Sequence, residues 1–381
     1  MTAGPAPGTQ ATDGELILLE RERLRALADR SGWEPLLLSE ARGLLGPPPQ
    51  LVAALRDTDS WDWGYPREQP APATTDAIRA WFAGVYGVQL APEEIGISLG
   101  ATEIIRSAAA YLRPLRPDMG TVLVPAPTFH HFAGGAESDG LQVVRIPRGP
   151  DGQLDLNQVA DRDRADTLLM WLCSPSNPDG YLMDLSAAVQ FTNTHGIFLL
   201  VDETYAPFCW NGPPRTVLSG HRRRLLALHT LSKLANVPSL RAGFFVGDPE
   251  LVAQVGRLRD RRGLIVPEPV ERALRAAVST TSWVESARST VEEPMHRTVA
   301  ALRQAGLSAR IPEGGLYIWA CLDGYSDRTL ADALALQAGI VCLPGQHFKE
   351  PAPLHVRIAA TLTDGQIDEL PARLIRLIQP S

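Results

Sequence analysis

The chain has 381 residues, of which 45% are hydrophobic and 21% are charged, and its formal net charge is -7 at pH 7. These values are typical of a globular protein with two or three domains, and the lack of a clustered basic face argues against a nucleic-acid partner. No stretch approaches the roughly 18 consecutive apolar residues of a membrane span, no signal-peptide pattern opens the chain, and the four cysteines are far apart, so we expect a cytoplasmic protein with reduced thiols.

The N-terminal part of the sequence predicts helices separated by a proline-rich connector and an aromatic loop. Leucines at helical spacing on a charged background predict a helix over residues 15–30. The connector at residues 46–49 reads Gly-Pro-Pro-Pro and precedes a short predicted helix at residues 50–56. Two tryptophans and a tyrosine then cluster in residues 61–65, and a further helix is predicted at residues 77–86.

The middle of the chain alternates between short apolar runs and helical or loop segments. Strands that alternate with helices in this way predict a mostly parallel sheet with both faces covered. The sequence therefore predicts a large α/β domain over residues 45–265 and a smaller α+β domain formed by residues 266–381 together with residues 1–44. The seven predicted strands are residues 95–99, 122–125, 143–146, 168–172, 197–202, 226–230 and 244–247.

A loop is predicted between the last two of these strands; it contains Lys233 and carries the most chemical information. Thr230 and Ser232 precede the lysine, and Arg241 follows it eight residues later. An amine held just past a buried strand can form a Schiff base with a carbonyl, while hydroxyls and a guanidinium can hold a phosphate. Pyridoxal phosphate carries both groups, although a lysine in this position is more often an exposed loop residue.

Other polar and aromatic side chains follow predicted strands, at the edge where ligands collect in parallel sheets. Gly100, Ala101 and Thr102 stand where a strand becomes a helix, and they can receive a phosphate or simply cap the helix. Phe129 can stack on a ring or pack in the core. Asn177 can bind a ligand, but it also lies in a turn of the kind in which asparagine is common.

Asp202 ends a strand that is otherwise fully apolar, Phe-Leu-Leu-Val-Asp. A buried ionised carboxylate needs a partner, and a protonated pyridine nitrogen provides one. Tyr205 lies three residues further on and can donate a hydrogen bond to the phenolic oxygen of the same ring. Each of these features is ambiguous alone, but their order along the chain indicates one site for pyridoxal phosphate.

Five motifs occur in a fixed order along the chain and are followed by Arg241. They are Gly-Ala-Thr-Glu, Pro-Thr-Phe, Ser-Pro-Ser-Asn-Pro-Asp-Gly, Asp-Glu-Thr-Tyr and Thr-Leu-Ser-Lys. Together they resemble the motifs of fold-type I pyridoxal-phosphate enzymes in the class I/II aminotransferase superfamily. The resemblance covers residues 36–365. The N-terminal third of the sequence is most similar to the histidinol-phosphate aminotransferase branch. The sequence departs from that branch at residues 41–46, Ser174 and Asp179, on the substrate side of the site, and keeps the cofactor-binding motifs.

The resemblance implies a role for each of the motif residues. Lys233 would bind pyridoxal 5'-phosphate covalently, and Asp202 would pair with the pyridine nitrogen. Tyr205 and Asn177 would bind the ring hydroxyl, while Phe129 would stack on the ring.

The resemblance also implies contacts to the phosphate, the substrate and a second subunit. Arg357 would pair with the α-carboxylate of the substrate, next to Asn177. Tyr65 would reach the phosphate of a neighbouring subunit, which implies a homodimer with shared active sites. The phosphate would be held by Gly100, Ala101, Thr102, Thr230, Ser232 and Arg241.

The activity implied is transfer of an amino group between an amino acid and a 2-keto acid, in amino-acid or antibiotic-type metabolism. One alternative is a decarboxylase, cyclase or oxidase with the same cofactor, because the C-terminal Leu-Pro-Gly-Gln-His-Phe and His-Val-Arg-Ile-Ala-Ala segments also resemble enzymes of arginine-derived amino acids. Another is the sensing half of a transcription regulator, which the lack of a basic helix-turn-helix pattern argues against. Possible side-chain pocket residues, each also explained by packing, are Tyr181, Tyr317, Trp319 and His347.

Overall fold

The computed structural model of the protein describes residues 12–378, so the two ends of the predicted small domain, residues 1–11 and 379–381, lie outside the described part. Its strands are β1 (Leu36–Leu37), β2 (Ile95–Ser98), β3 (Thr121–Pro125), β4 (Gln142–Ile146), β5 (Thr167–Cys173), β6 (Phe198–Asp202), β7 (Leu225–Thr230), β8 (Gly243–Gly247), β9 (Ser308–Ala309), β10 (Tyr317–Cys321), β11 (Ile340–Val341), β12 (Leu343–Pro344) and β13 (Val356–Ala359). Its helices are α1 (Asp13–Ala28), α2 (Pro49–Arg56), α3 (Pro72–Tyr86), α4 (Ala101–Leu112), α5 (His131–Ser138), α6 (Asp161–Ala165), α7 (Leu185–His195), α8 (Leu231–Leu234), α9 (Pro249–Arg261), α10 (Glu268–Val278), α11 (Thr281–Gln304), α12 (Asp327–Ala338) and α13 (Asp364–Ile378).

The large sheet has seven strands in the order β2-β8-β7-β6-β5-β3-β4. Strand β8 runs antiparallel to both of its neighbours, and the other four pairings are parallel. The central strands β5 and β6 are buried along their whole length, as expected for a sheet that is covered on both faces. The prediction of a mostly parallel seven-stranded sheet is therefore confirmed.

The two faces of this sheet are covered by different helices. Helices α4, α5 and α9 contribute to one apolar core, and α2, α3, α7 and α10 contribute to the other. Successive side chains of a strand point to opposite faces, so Phe198 and Leu200 belong to the first core while Leu199 and Val201 belong to the second. The same alternation turns Asp202, at the end of β6, towards the face that carries α4.

The C-terminal part forms a smaller α+β unit around the antiparallel strands β9, β10, β12 and β13. The N-terminal segment contributes to this unit, because β1 pairs in parallel with β11 and α1 packs against α12. Helix α10 lies beyond the predicted boundary at residue 265 and packs against α2 and α3 of the large domain. The division at that residue stays a prediction.

The predicted N-terminal helices are found as α1, α2 and α3, with shifted ends. The largest shift is at α3, which begins five residues before the predicted position, at Pro72. Proline suits the first turn of a helix because its missing N–H would have no helical partner there. Among residues 12–378, no helix has both the length and the apolar composition that crossing a membrane requires.

Candidate functional site

A cleft at the carboxyl ends of β6 and β7 brings together ten of the thirteen predicted site residues; the three others are Gly100, Arg241 and Tyr65. The large sheet forms its floor, and residues of the smaller unit lie opposite. The cleft is lined by Arg21, Glu40, Ala101, Thr102, Ile105, Phe129, Asn177, Asp202, Thr204, Tyr205, Thr230, Ser232, Lys233, Tyr317 and Arg357.

Asp202 is a buried carboxylate at the end of β6, with 5% of its surface exposed. Its Oδ1 accepts hydrogen bonds from the amide of Thr204, at 3.0 Å, and from the hydroxyl of the same residue. Burial raises the pKa of Asp202, although the Thr204 hydrogen bonds and the nearby His229 oppose the shift. A cationic ring nitrogen beside the carboxylate would compensate for its lost hydration, so the position of Asp202 fits its predicted pairing with the pyridine nitrogen of pyridoxal phosphate.

Lys233 reaches the cleft from a one-turn helix, α8, where the sequence predicts a plain loop. The helix forms because Thr230, at the end of β7, caps it: its Oγ1 accepts a hydrogen bond from the amide of Ser232 at 3.2 Å. Lys233 Nζ then donates to the carbonyl oxygen of Ala41 at 2.7 Å. The amine thereby lies in the same cleft as Asp202.

The N-terminus of α4 and the side chain of Arg241 form a cradle for an anion. Gly100, which precedes the helix, has a φ of +86°, and a Cβ built on it would lie 2.9 Å from Arg241 Nη2. The free N–H groups of Ala101 and Thr102, the helix dipole and the guanidinium therefore converge without a side chain between them. Converging positive charge of this kind fits a phosphate, although Gly100 and Arg241 do not themselves line the cleft.

Arg357 lies on β13 at the opposite wall of the cleft and is 4% exposed. Its Nη1 donates to Asn177 Oδ1 at 2.8 Å, and its Nη2 donates to the carbonyl oxygen of Ser39 at 2.6 Å. Its Nε is buried and has no hydrogen-bond partner within the described residues. A planar guanidinium with an unused N–H inside a cleft is suited to a carboxylate.

Tyr205 and Tyr317 pack edge to face near Arg357, with ring centroids 5.9 Å apart. Burial raises the pKa of Tyr205 well above its usual value, so its hydroxyl is a neutral hydrogen-bond donor at physiological pH. Burial acts in the same direction on Tyr317, but Arg357 and Lys233 outweigh it and lower the pKa of Tyr317 to about 8. The guanidinium carbon of Arg357 lies 3.8 Å from the centroid of the Tyr317 ring.

Several residues considered from the sequence lie outside this cleft. Tyr65 is 99% exposed and belongs to a surface depression beside α10. Of the four possible pocket residues, only Tyr317 lines the cleft. Tyr181 packs under Arg310, and Trp319 stacks on His355 with ring centroids 5.3 Å apart.

The structure also adds residues that sequence reasoning missed. Arg21 and Glu40 line the cleft although both lie in the N-terminal segment, and Thr204 contacts Asp202. The departure at Asp179 has a physical explanation, because Asp179 forms a buried ion pair with Arg148 at 2.9 Å. Thr204 could have been found as the residue two positions after a strand-ending aspartate, whereas the pattern around Arg21 gives no such signal.

Comparisons with known sequences extend over most of the chain. The family profile "Aminotransferase class I and II" matches residues 37–374. A 4-dedimethylamino-4-oxo-anhydrotetracycline transaminase of Streptomyces rimosus is 32% identical over 319 residues, which cover 82% of this chain and 85% of that protein. An LL-diaminopimelate aminotransferase of Dehalococcoides mccartyi is 27% identical over 323 residues, which cover 81% of this chain and 82% of that protein.

Comparisons with solved structures show the same fold. Substrate-bound BacF from Bacillus subtilis matches with a TM-score of 0.89 and 23% identity, covering 100% of this chain and 99% of that chain. A probable N-succinyldiaminopimelate aminotransferase from Thermus thermophilus matches with a TM-score of 0.85 and 24% identity, covering 94% of this chain and 99% of that chain.

Proposed function

The chain belongs to the class I and II aminotransferase family, whose members transfer amino groups with pyridoxal 5'-phosphate, and on this premise we propose that Lys233, Asp202 and Tyr205 are its catalytic residues. The observation that carries the proposal is their position in one cleft, opposite Arg357. The proposal assigns the substrates to α-amino acids and 2-keto acids. The assignment to the histidinol-phosphate branch stays a prediction.

When bound, the cofactor supplies an electron-withdrawing ring that acidifies the α-carbon of the amino acid. Asp202 would pair with the ring nitrogen and keep it protonated, because an ionised carboxylate buried at that position is costly unless a cation lies beside it. Tyr205 would donate a hydrogen bond to the ring hydroxyl. Lys233 Nζ accepts the proton from the α-carbon of the substrate as a general base.

The remaining predicted residues bind the substrate and the cofactor and orient them. Arg357 Nε donates a hydrogen bond to one oxygen of the substrate α-carboxylate, and Asn177 fixes the orientation of the guanidinium by accepting a hydrogen bond from Nη1. Phe129, in the segment between β3 and α5, would stack on the ring. The phosphate would be held by Gly100, Ala101, Thr102, Thr230, Ser232 and Arg241.

The proposal includes a homodimer in which Tyr65 of one subunit reaches the phosphate of the other. It is supported by the 99% exposure of Tyr65 and the 77% exposure of Trp63 in the same loop, since large exposed apolar groups mark interaction surfaces. We also place the enzyme in the cytoplasm, in agreement with its unpaired cysteines. Two of its relatives are named as a 4-dedimethylamino-4-oxo-anhydrotetracycline transaminase and an LL-diaminopimelate aminotransferase, and these names support a place in specialised or amino-acid metabolism.

The chain contains only two lysines, and this permits a direct test. Lys233 lies in the cleft, whereas Lys349 forms an ion pair with Asp13 at 2.9 Å on the surface of the smaller unit. Borohydride treatment of the purified enzyme should fix the cofactor onto the peptide that contains Lys233. Lys233→Ala should abolish both labelling and turnover and keep the fold, while Lys349→Ala should retain both. Labelling of Lys349, or turnover by Lys233→Ala, would contradict the assignment.

Transamination is separated from the alternative reactions by its products. Mixing the enzyme with a panel of amino donors should consume the absorbance of the bound cofactor and leave the aminated form of the cofactor together with a keto acid. Release of carbon dioxide or peroxide without the aminated cofactor would instead favour a decarboxylase or an oxidase.

A further inference from the structure

Arg21 and Glu40 form an ion pair at the wall of the catalytic cleft. Arg21 lies on α1 and Glu40 follows β1, and Arg21 Nη1 is 2.5 Å from Glu40 Oε1. Both side chains line the same cleft as Lys233 and Arg357. Neither has a role in the family motifs described above.

The backbone around Glu40 is fixed by residues of the site itself. The carbonyl of Ser39 accepts a hydrogen bond from Arg357, and the carbonyl of Ala41 accepts one from Lys233. The amide of Ala41 also donates to the hydroxyl of Tyr317 at 3.2 Å. Glu40 therefore lies between two residues whose carbonyls are hydrogen-bonded to the site. It is beside the place where Arg357 would bind the α-carboxylate of a substrate and Lys233 would accept the proton from its α-carbon.

We propose that Arg21 binds the distal carboxylate of a dicarboxylic amino or keto acid and that Glu40 is the internal counter-ion which this carboxylate displaces. The proposal rests on the transamination proposed above, because it uses Arg357 for the α-carboxylate. It assigns the side-chain specificity of the enzyme to the N-terminal segment.

The unused N–H donor of Arg21 supports an anionic ligand. Glu40 contacts only Nη1, and the Nε of Arg21 is buried without a hydrogen-bond partner among residues 12–378. A carboxylate can engage Nε and an Nη group together in the bidentate geometry that arginine favours. The ligand would thus satisfy a donor that Glu40 leaves unused.

Glu40 can leave Arg21 without being stranded. Its side chain is 46% exposed, and its Oε2 lies 3.9 Å from Nη2 of Arg42, which is itself 79% exposed. A half-exposed carboxylate between two arginines can move to the outer one at little cost, because both positions are hydrated. The exchange keeps every charge paired whether the distal carboxylate is present or absent.

The alternative use of the same pair is recognition of a cationic side chain by Glu40. That arrangement would leave the guanidinium of Arg21 facing the incoming ammonium, which disfavours it. The dicarboxylate arrangement has no such opposed charges once Glu40 pairs with Arg42.

The test compares ligands that differ only at the distal end. L-glutamate and L-norvaline are used as amino donors in the half-reaction, and glutarate and pentanoate are used as unreactive competitors. The variants are Arg21→Gln, Arg21→Lys and Glu40→Gln. Arg25→Gln is the matched control, because Arg25 lies one turn further along α1, pairs with exposed Asp29 and does not line the cleft.

Arg21→Gln should weaken the binding of glutamate and glutarate by about 10- to 100-fold, as expected for loss of a charge-assisted hydrogen bond, and leave the binding of norvaline and pentanoate unchanged. Arg21→Lys should give a smaller loss of affinity, and Arg25→Gln should give none. Glu40→Gln should strengthen the binding of glutarate by about two- to fivefold, because it removes a carboxylate that competes for Arg21 with the energy of a surface ion pair.

An equal effect of Arg21→Gln on glutamate and norvaline would overturn the proposal, and so would L-ornithine binding that is lost in Glu40→Gln. The panel of amino donors in the unmodified enzyme separates the two levels of inference. If another amino acid of the panel transfers its amino group but glutamate does not bind or react, the dicarboxylate proposal alone is contradicted. If no amino acid of the panel transfers its amino group, the proposed function itself is contradicted.

Discussion

The ion pair between Arg148 and Asp179 should stabilise the loops that carry two of the proposed cofactor contacts. Its side chains are 7% and 5% exposed, and the Nη1 to Oδ2 distance is 2.9 Å. Arg148 follows β4, and Asp179 belongs to the loop that contains Asn177. Arg148 Nη2 also donates to the carbonyl of Pro127, two residues before Phe129. We expect Asp179→Asn to destabilise the protein and to weaken cofactor retention.

The size of the effect follows from the contacts that remain. Removing one partner of a buried ion pair costs about 3–5 kcal/mol, since the other charge stays buried and unpaired. In Asp179→Asn, Arg148 keeps acceptors at Pro127, Gly152 and Ser176, at 3.2 to 3.4 Å. These polar contacts solvate the guanidinium in part, so we expect a loss at the lower end, about 3 kcal/mol.

The assay is a double-mutant cycle measured by urea denaturation at a fixed excess of cofactor, because ligand binding raises apparent stability. Arg148→Gln should remove most of the penalty of Asp179→Asn and give a coupling energy of about 2 kcal/mol. The exposed pair Arg25 and Asp29 is the control and should couple by about 0.3–0.5 kcal/mol. Additive effects of Arg148→Gln and Asp179→Asn would refute the reasoning.

Three further predictions concern the cleft. Asp202→Asn should retain the cofactor but cut kcat about 10- to 1000-fold, the effect of losing a charge that shifts a neighbouring pKa by about 1–3 units; an unchanged rate with a bound cofactor would contradict it. Arg357→Ala should raise the KM for every amino acid tested and barely change cofactor retention, measured by absorbance after gel filtration. Burial lowers the pKa of His130 to about 3, whereas an unfolded imidazole titrates near 6.5; the unfolded state therefore binds more protons, stability should fall as the pH drops from about 6.5 towards 4, and His130→Asn should reduce that slope in urea titrations.

The family and the central sheet could be predicted because their signals are local in the sequence. Strand β6 is apolar until its last residue, and the alternation of side chains places Asp202 on the same face as Phe198 and Leu200. Thr230 follows the same rule at the end of β7, next to β6 in the sheet. Parallel strands end at one edge, so residues at the ends of separate strands meet without any further information.

The substrate side could not be predicted in the same way, because it depends on contacts between distant parts of the chain. Arg21 reaches the cleft only because α1 packs on α12 and β1 pairs with β11. Its own sequence surroundings are those of an ordinary charged helix. The one-turn helix α8 also escaped prediction, since four residues are too few to show helical periodicity.

The segment around Glu40 connects these two parts of the site. Its carbonyls accept hydrogen bonds from Arg357 at 2.6 Å and from Lys233 at 2.7 Å. Arg357 is the proposed partner of the substrate α-carboxylate, and Lys233 is the proposed catalytic amine. A ligand that engages Arg357 must share its guanidinium with Ser39, so binding of the α-carboxylate bears directly on the position of Glu40. Discrimination at the distal end of the substrate is therefore coupled to recognition of its common end, through three consecutive residues of one backbone segment.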